Sequence, residues 1–408
     1  MFAARSILAL VCVVALAVGC GSNEPSSAPA AQPGDRAQAD AVRAAVRELM
    51  AAEHLRAVIV RVTVDGRDIL TEAFGESMTG VPATADMHFR NGSVAIPFVA
   101  NLLLQQVDAK KVRLTDKVRT WLPDLPNGDQ VTLGQLAQMT SGYRDYVLGN
   151  QAFDAALYRD PFKNWTPEEL IGGVVREPPF YPPGTNWNYA HTNYVILGLA
   201  LEKITGQKVD VLMKEKVLDP LGLSNTVGSQ LPVIPQPVLH AFTSERRAVL
   251  GVPAGTPFYE ESTYWNPSWS ITNGAVQTTN ITDMASSAVA VGTGKLLSPE
   301  SFRAMVSTEL RGKTRTQPDC PTCFDQNEHY TYGLGIVITG NWLLQNPQLT
   351  GYTGAMAYLP SKKIAIAVAA TYQPEAFDGA GLYSNSADTV FRRIGAILAP
   401  DEAPPTKR

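Results

Sequence analysis

The sequence predicts an α+β fold in which one antiparallel sheet is flanked by the two terminal helices and joined to a helical lobe. Three observations support this prediction. A helix and a β-hairpin come first along the chain, strands and a helix come last, and the region between them is rich in helical patterns. If the two ends pack together, their strands form one sheet, and a cleft runs between sheet and lobe, where sites commonly lie.

The composition is that of an ordinary folded protein. Of the 408 residues, 45% are hydrophobic and 18% are charged, and the net charge is −4. The sequence has neither a disorder signature nor the basic excess that nucleic-acid binding requires. We therefore expect no nucleic-acid partner. No sequence motif indicates a metal, nucleotide or redox cofactor, so we expect none.

The N-terminus indicates export. Arg5 precedes an apolar run over residues 7–18, which is too short to span a bilayer comfortably. Cys20 follows "AVG" directly and resembles the lipidated cysteine of the bacterial lipobox; the alternative is a plain signal peptide with a chance cysteine. We expect a signal peptide over residues 1–19 and a lipidated flexible tether over residues 20–37, which would anchor the folded domain to the outer side of the cytoplasmic membrane.

A single folded domain is predicted over residues 38–398. It opens with an amphipathic helix, because apolar residues recur at helical spacing from Val42 to Met50. Two strands, "AVIVRVTV" and "DILTEAFG", then flank the turn Asp65-Gly66 and form a hairpin. Helical patterns dominate from about residue 92 to residue 217.

The second half of the domain is predicted to return to the sheet. Residues 218–280 are rich in Pro, Gly, Ser and Asn and indicate long loops with short elements. Two helices near 282–292 and 298–307 precede the strands "YTYGLGIVI", "LTGYTGAMAYL" and "KIAIAVAATY", of which the last is a continuous apolar run typical of a buried central strand. A helix over about 382–398 and a frayed tail over 399–408 end the chain.

Two cysteines remain in the predicted domain, Cys320 and Cys323, in "DCPTCF". A lone CxxC could be redox-active or half of a zinc site, but no second CxxC and no nearby pair of histidines completes a metal set. In an exported protein we favour the interpretation that the two cysteines form a small structural disulfide.

Several stretches resemble one family in their order along the chain. They are "FRNGSVAIPFVANLLLQQVDAKKVRLTDKV", "VTLGQLAQMTSGYRDY", "YPPGTNWNYAHTNYVILGLALEKITG", "VLDPLGLSNT" and "GYTGAMAYLP". The family is the penicillin-recognising serine hydrolases, and the most similar branch holds class C β-lactamases, D-alanyl-D-alanine carboxypeptidases and related esterases. The resemblance covers nearly the whole predicted domain and implies a β-lactamase/transpeptidase-like fold with the active site in the cleft.

The resemblance implies that Ser93 is the nucleophile, although a serine here could also simply cap a helix. The family's lysine, three residues after the serine, takes the serine's proton. Here that position is Ile96, which should share a helix face with Ser93 and point into the substrate site. Isoleucine can neither accept a proton nor stabilise a charge, so this departure puts catalysis in doubt.

Tyr189 matches the tyrosine of the family's Tyr-x-Asn motif, and the asparagine position is His191. Two interpretations of His191 remain open. It could replace the missing base in a Ser–His pair, or it could substitute for the amide as a hydrogen-bonding group, which we favour. The sequence does not identify an acidic partner for it.

The third motif of the family is Lys- or His-Thr-Gly on a strand. We match it to Tyr352, Thr353 and Gly354 and expect these residues to line the substrate site. Ala355 would supply the second main-chain donor of the oxyanion hole. The alternative is a plain edge strand with a turn.

Two functions follow as hypotheses. The first is a serine hydrolase of peptidase or esterase type with impaired or altered catalysis, acting on a small-molecule or peptide substrate in the cell envelope. Its catalytic residues would be Ser93, Tyr189 and His191. The second is a catalytically silent member of the family that binds a cell-wall peptide, a lipid-linked ligand or a protein partner. Ser93 and Tyr189 favour the first hypothesis, and Ile96 favours the second.

Overall fold

A computed structural model describes residues 33–228, 230–253 and 255–406. The predicted signal peptide and Cys20 lie outside these residues. The described chain begins with helix α1 (Pro33–Ala52) and the hairpin of strands β1 (Leu55–Val64) and β2 (Arg67–Met78). The positive φ angles of Asp65 and Gly66 allow the tight turn between them. The helix begins five residues before the predicted boundary, because Asp35 pairs with Arg67 of the hairpin at 3.3 Å.

The middle of the chain forms the helical lobe, as its periodicity predicts. Its helices are α2 (Ile96–Asp108), α3 (Leu133–Ala137), α4 (Gln151–Arg159), α5 (Pro167–Ile171), α6 (His191–Thr205), α7 (Val209–Met213) and α8 (Asp219–Leu221). Short strands accompany them: β3 (Val81–Pro82), β4 (Phe89–Arg90), β5 (Val227–Gly228), β6 (Phe242–Thr243), β7 (Glu260–Glu261) and β8 (Gln277–Thr279). Loops occupy most of residues 218–280, as expected.

The last third of the chain returns to the sheet. It contains α9 (Ile281–Gly292), α10 (Pro299–Met305), β9 (Thr331–Tyr332), β10 (Val337–Thr339), β11 (Trp342–Gln345), β12 (Gln348–Leu349), β13 (Tyr352–Leu359), β14 (Ile364–Tyr372) and α11 (Ser386–Leu398). The main sheet has the order β3-β2-β1-β14-β13-β11-β10-β9, with β12 also pairing with β13, and its neighbouring strands are antiparallel. The α+β prediction is therefore confirmed.

The sheet joins the two ends of the chain through β1 and β14. Every residue of β13 and β14 is buried, which explains the continuous apolar run in their sequences. Helices α1 and α11 pack against each other and against the sheet, and α9 packs against β1, β13 and β14. The helices thus cover the sheet on both faces and leave β13 deep inside the molecule.

Two of the predicted strands are interrupted. The stretch "YTYGLGIVI" contains β9 and β10 with a turn between them, because Gly333 N donates to Ile336 O. A Cβ on Gly335 would lie 2.6 Å from Tyr194 Oη and 2.8 Å from Ala100 Cβ, so the helical lobe approaches this turn closely. The stretch "LTGYTGAMAYL" is likewise divided, between β12 and β13.

The prediction of a frayed C-terminal tail is wrong for the residues that the structure describes. Ala399 is buried, and a short 3₁₀ turn over Pro400–Glu402 follows it. Trp342 Nε1 donates to Glu402 O at 2.8 Å, and Arg392 donates to Pro405 O. The tail is fixed because it supplies acceptors to buried donors. Within the described residues, no helix combines the length and the apolar character needed to cross a bilayer.

Candidate active site

Ser93 lies where the chain enters the helical lobe. It belongs to a 3₁₀ turn, Gly92–Ala95, which leads directly into α2. The turn is closed by the Ile96 N–H, which donates to Ser93 O. The Ser93 side chain is partly buried, and its Oγ is hydrogen-bonded to Tyr189 Oη at 3.1 Å. The two residues that the resemblance pairs are therefore in direct contact.

Ile96 is the first residue of α2, and only 1% of it is exposed. An apolar side chain therefore fills the buried position one helical turn after Ser93. Burial favours isoleucine there, because an amine in the same place would lose its hydration. This position offers Ser93 no proton acceptor.

Tyr189 lies two residues before the start of α6, and its hydroxyl is hydrogen-bonded to Ser93 Oγ. Burial raises the pKa of its phenol to about 12, although the hydrogen bond with Ser93 opposes that shift. Roughly one molecule in 10⁵ would carry the phenolate at pH 7. Tyr189 is thus a neutral phenol, able to donate and accept a hydrogen bond at once but weak as a base.

His191 begins α6 and is held by an acidic partner. Its Nδ1 lies 2.9 Å and 3.2 Å from the two carboxylate oxygens of Asp145, and its main-chain N–H donates to the same carboxylate at 2.9 Å. Asp145 is 5% exposed and also accepts a bond from Leu148 N. The carboxylate places the proton on Nδ1 in the neutral ring and leaves Nε2 as the acceptor.

His191 packs against the ring of Tyr189, and Tyr189 in turn is hydrogen-bonded to Ser93 Oγ. The His191 and Tyr189 rings meet edge to face, with centroids 5.2 Å apart. Sequence reasoning missed Asp145, although it stands in the quoted stretch "SGYRDY". Forty-six residues separate it from His191, and only the fold brings the two together.

Tyr352 and Thr353, which we expected to line the substrate site as the third motif, have their side chains in the interior of the protein. The Tyr352 side chain is buried, and its hydroxyl donates to Leu239 O at 2.6 Å. Thr353 Oγ1 is hydrogen-bonded to Tyr372 Oη at 2.6 Å, within the sheet. Burial also raises the pKa of Tyr352. Both side chains are thus engaged in the interior, and β13 is an inner strand rather than the edge beside Ser93.

The segment next to the serine turn is the one that precedes β13 in the chain, at Pro347. A Cβ on Gly92 would lie 2.9 Å from Pro347 Cβ, and a Cβ on Gly354 would lie 3.1 Å from Pro347 Cγ. Pro347 therefore stands between the serine turn and β13. Gln345, Asn346 and Pro347 occupy the place expected for the third motif, and they too lack a cation.

The register also excludes Ala355 as the oxyanion donor. Gly354 N donates to Pro347 O at 3.0 Å, so the Gly354 N–H points toward β12. Successive N–H groups in a strand point to opposite sides, and the Ala355 N–H therefore points toward β14. Because the Pro347 carbonyl points to β13, the N–H of Gln348 in the same planar peptide points away from β13.

Arg90 is a buried cation that sequence reasoning did not single out. Its Nη2 donates to Pro232 O at 2.7 Å and to Leu231 O at 3.3 Å. Among the described residues, Nε and Nη1 have no hydrogen-bond acceptor. Burial lowers the pKa of this guanidinium to about 10, which leaves it charged at neutral pH.

A cavity of about 500 Å³ opens beside Tyr189. Four aromatic residues and the segment between the two cysteines form much of its wall. Its lining residues are Trp187, Tyr189, Pro321, Thr322, Phe324, His329, Tyr330, Asn346, Asp388, Arg392 and Thr406. Cys320 and Cys323 form a disulfide with an S–S distance of 2.06 Å, so the predicted bridge is present at the edge of this cavity.

No three His, Cys, Asp or Glu side chains of the described chain are grouped so that they could hold a metal ion. What the site offers instead is a serine hydroxyl, a tyrosine hydroxyl and a histidine–carboxylate pair. A serine at the entrance of a helix, bonded to a tyrosine in a cleft between sheet and helical lobe, defines a protein of the serine-hydrolase class.

The chain belongs to the Beta-lactamase family, whose pattern matches residues 42–391. Penicillin-binding protein 4 of Amycolatopsis lactamdurans is 33% identical over 182 residues, which are 43% of this chain and 45% of that protein. A putative D-alanyl-D-alanine carboxypeptidase of Escherichia coli (strain K12) is 29% identical over 161 residues, 37% of this chain and 36% of that protein. The chain thus matches less than half the length of these curated relatives.

Solved structures share the fold. The D-amino acid amidase from Ochrobactrum anthropi SV3, complexed with L-phenylalanine amide, has a TM-score of 0.73 and 20% identity, covering 90% of this chain and all of that one (100%). The D-stereospecific amidohydrolase from Streptomyces sp. has a TM-score of 0.68 and 23% identity, covering 83% of this chain and 94% of that one. These structures confirm the predicted fold, and the family match over residues 42–391 confirms the predicted membership of the penicillin-recognising hydrolases.

Proposed function

We propose that this protein is a serine hydrolase of peptidase, amidase or esterase type that forms an acyl-enzyme on Ser93, with acylation slowed because Ile96 replaces the lysine base. The observation that carries this proposal is the hydrogen bond of 3.1 Å between Ser93 Oγ and Tyr189 Oη. It provides a path for the serine proton that does not require a lysine.

The proposed chemistry is a proton relay. Ser93 Oγ attacks the substrate carbonyl carbon as its proton passes to Tyr189 Oη, and Tyr189 gives its own proton to the leaving nitrogen or oxygen. This route suits a phenol with a raised pKa, since no free phenolate need form. Loss of a general base typically costs a factor of about 10²–10⁴, and a relay through a neutral phenol recovers only part of it.

The negative charge that develops on the substrate oxygen needs main-chain donors. We assign these to the N–H of Ser93 and the N–H of Gln348, because the Gln348 N–H points away from β13. Two oriented N–H groups stabilise a tetrahedral intermediate even where the base is weak. Reactive esters should therefore be turned over more readily than amides.

His191 is the second candidate for the proton acceptor. Its bond to Asp145 leaves Nε2 available as a base, which supports the Ser–His hypothesis more than the sequence alone did. The observation against His191 as the proton acceptor is that the hydrogen-bond partner of Ser93 is the Tyr189 hydroxyl. We therefore give the relay to Tyr189 and an orienting role to His191.

The substrate and the location are proposals as well. The relatives are named as a penicillin-binding protein and a putative D-alanyl-D-alanine carboxypeptidase, and a structural neighbour as a D-amino acid amidase. They support an amide or ester of a small amino-acid or peptide substrate in the cell envelope. A lipid on Cys20 would hold the enzyme at the outer side of the cytoplasmic membrane.

The test is covalent labelling of the full-length protein in detergent. A fluorophosphonate is incubated with the wild type and with Ser93→Ala, and the intact mass is followed over time. We expect a single adduct on the wild type and none on Ser93→Ala. The absence of an adduct on the wild type would refute the acyl-serine proposal.

The alternative is a catalytically inactive protein that binds a cell-wall peptide, a lipid-linked ligand or a protein partner. The buried Ile96 beside Ser93 favours it. Ile96→Lys separates the two functions, with Ile96→Met as the uncharged control. Faster labelling by Ile96→Lys alone, by about 10²-fold, means that the remaining site is still built for hydrolysis. An inert Ile96→Lys protein that folds normally would favour the binding function.

A further inference from the structure

We infer that the cavity beside Tyr189 is a recognition site for a neutral aromatic group carried by the ligand, with a wall shaped by the segment between Cys320 and Cys323. The inference deepens the proposed function, because it names a feature of the substrate that Ser93 would attack. It depends on the contacts of the cavity rather than on the reaction.

The aromatic wall is the first observation. The partly buried rings of Phe324 and Tyr330 meet edge to face with centroids 4.9 Å apart, and the fully buried Trp187 packs edge to face against Phe324 at 4.8 Å. Tyr189 completes the wall. Ring edges and faces arranged at such angles accept another ring in offset or edge-to-face contact, which adds to its burial energy.

The position of the cavity relative to the nucleophile is the second observation. The Tyr189 hydroxyl is bonded to Ser93 Oγ, while the same residue lines the cavity. A group bound there is therefore one side chain away from the attacking oxygen. A volume of about 500 Å³ lies within the range of small-molecule pockets.

The charge state of the cavity decides which kind of ring fits. Arg392 and Asp388 form a salt bridge of 2.8 Å, and Asn346 Nδ2 donates to Asp388 at 3.3 Å. The positive charge of Arg392 and the negative charge of Asp388 thus neutralise each other at the cavity. A carboxylate or an ammonium would have to compete with that pair, whereas an uncharged ring would not.

The disulfide fixes the last part of the wall. The bond between Cys320 and Cys323 closes a short loop, and the two residues inside it, Pro321 and Thr322, both line the cavity. Gln317, three residues earlier, donates to Phe180 O at 2.6 Å and ties the loop to the helical lobe. The buried cysteine pair would therefore keep the mouth of the cavity in one shape.

The experiment compares two fluorophosphonates that differ in one group, ethyl or 2-phenylethyl, on the full-length protein. We expect the phenylethyl probe to label Ser93 at least about 10-fold faster, as one well-bound apolar group allows. Thr322→Trp, which would fill the mouth, and Tyr330→Ala, which would remove part of the wall, should each reduce that ratio to about 3 or less. Phe162→Ala removes an exposed ring that is not part of the cavity lining and should leave the ratio unchanged.

Equal rates for the two probes in the wild type, or a ratio that survives both cavity variants, would overturn the inference. If neither probe labels Ser93, the proposed function fails, and the cavity is tested by equilibrium binding. Calorimetry with N-acetylphenylalanine amide on Ser93→Ala should then show binding that Thr322→Trp weakens at least about 10-fold. No binding to Ser93→Ala would reject the cavity as an aromatic site.

Discussion

The chemistry of the site depends on one aliphatic side chain. Ile96 occupies a buried position one turn beyond Ser93, and Tyr189 therefore bonds to the serine without a neighbouring ammonium. A nearby cation would lower the pKa of the phenol. In this site burial and the Asp145 charge raise that pKa, and with the opposing Ser93 hydrogen bond it reaches about 12. This is why we propose Tyr189 as a neutral proton relay and not as a base.

A second ionisable residue, far from Ser93 in the sequence, makes stability depend on pH. Glu245 accepts bonds from Tyr158 Oη at 2.9 Å and from Thr243 Oγ1 at 2.8 Å. Burial raises the pKa of its carboxyl to about 7, those bonds oppose the shift, and the nearby Asp154 adds to it. The folded state thus binds a proton that the unfolded chain releases near pH 4.5.

The sign of the effect follows from this difference in proton binding. The stabilisation is fully present below the pKa of the unfolded chain and is lost as the pH rises through the folded pKa of about 7. We expect the wild type to lose about 1–3 kcal/mol of unfolding free energy between pH 4.5 and 8, and Glu245→Gln to lose less. Urea unfolding across this range measures the slope.

Glu375→Gln, at an exposed turn, is the control for removing a carboxylate. Its pH profile should follow that of the wild type. A Glu245→Gln profile with the wild-type slope would show that Glu245 does not keep its proton in the folded state.

At the scale of elements, strand register decides which residues surround Ser93. The pairing of β11 and β12 with β13 keeps one register across Asn346 and Pro347, so these elements are parts of one strand. That strand, not β13, lies against the serine turn. The Thr-Gly pair at 353 and 354 imitates the family motif in sequence but lies one strand too far inside the sheet.

The contact between the serine turn and this strand requires Gly92. Its φ is +49°, and a Cβ would meet Pro347 Cβ at 2.9 Å. We expect Gly92→Ala to lower the unfolding free energy by about 1–3 kcal/mol and to slow the labelling of Ser93 by at least about 10-fold, because the turn must move. Chemical unfolding and labelling kinetics measure the two effects.

Gly80→Ala is the matched control. Gly80 has φ +75°, and no atom lies within 4 Å of its hypothetical Cβ. Gly80→Ala should lower the unfolding free energy through the strained backbone conformation, as Gly92→Ala does, and should leave the labelling rate of Ser93 unchanged. Equal labelling rates for the two variants would mean that the Pro347 contact does not position Ser93.

At the scale of the whole molecule, the C-terminal tail joins the sheet, α11 and the cavity. Ser361 Oγ donates to Glu402 Oε2 at 2.7 Å, Trp342 donates to Glu402 O, and Thr406 lines the cavity. The tail therefore belongs to the folded domain, and its removal should lower the stability of the whole domain.

Deletion of residues 400–408 should lower the unfolding free energy by at least about 2 kcal/mol, since it removes the carbonyl acceptors of the buried Trp342 and of the partly buried Arg392. Thermal unfolding checks this result. A midpoint that stays the same after the deletion would show that the tail is a passive extension.

The sequence by itself determined the fold class, the family, the serine turn and the tyrosine that bonds to Ser93. These depend on local periodicity and on motifs read in order along the chain, which need no knowledge of long-range contacts. The terminal hairpin, the buried run of β14 and the cysteine bridge were predictable for the same reason.

Only the tertiary structure decided the acidic partner of His191, the strand beside Ser93 and the fixed tail. Asp145 and His191 are far apart in the sequence, and the side of a strand that meets a neighbour depends on register across the sheet. One residue of difference in register exchanges the two sides of a strand, and local pattern cannot resolve it. The sequence located the turn that carries Ser93, but it assigned the third motif to β13, whereas the strand beside that turn is the neighbouring one that contains Pro347.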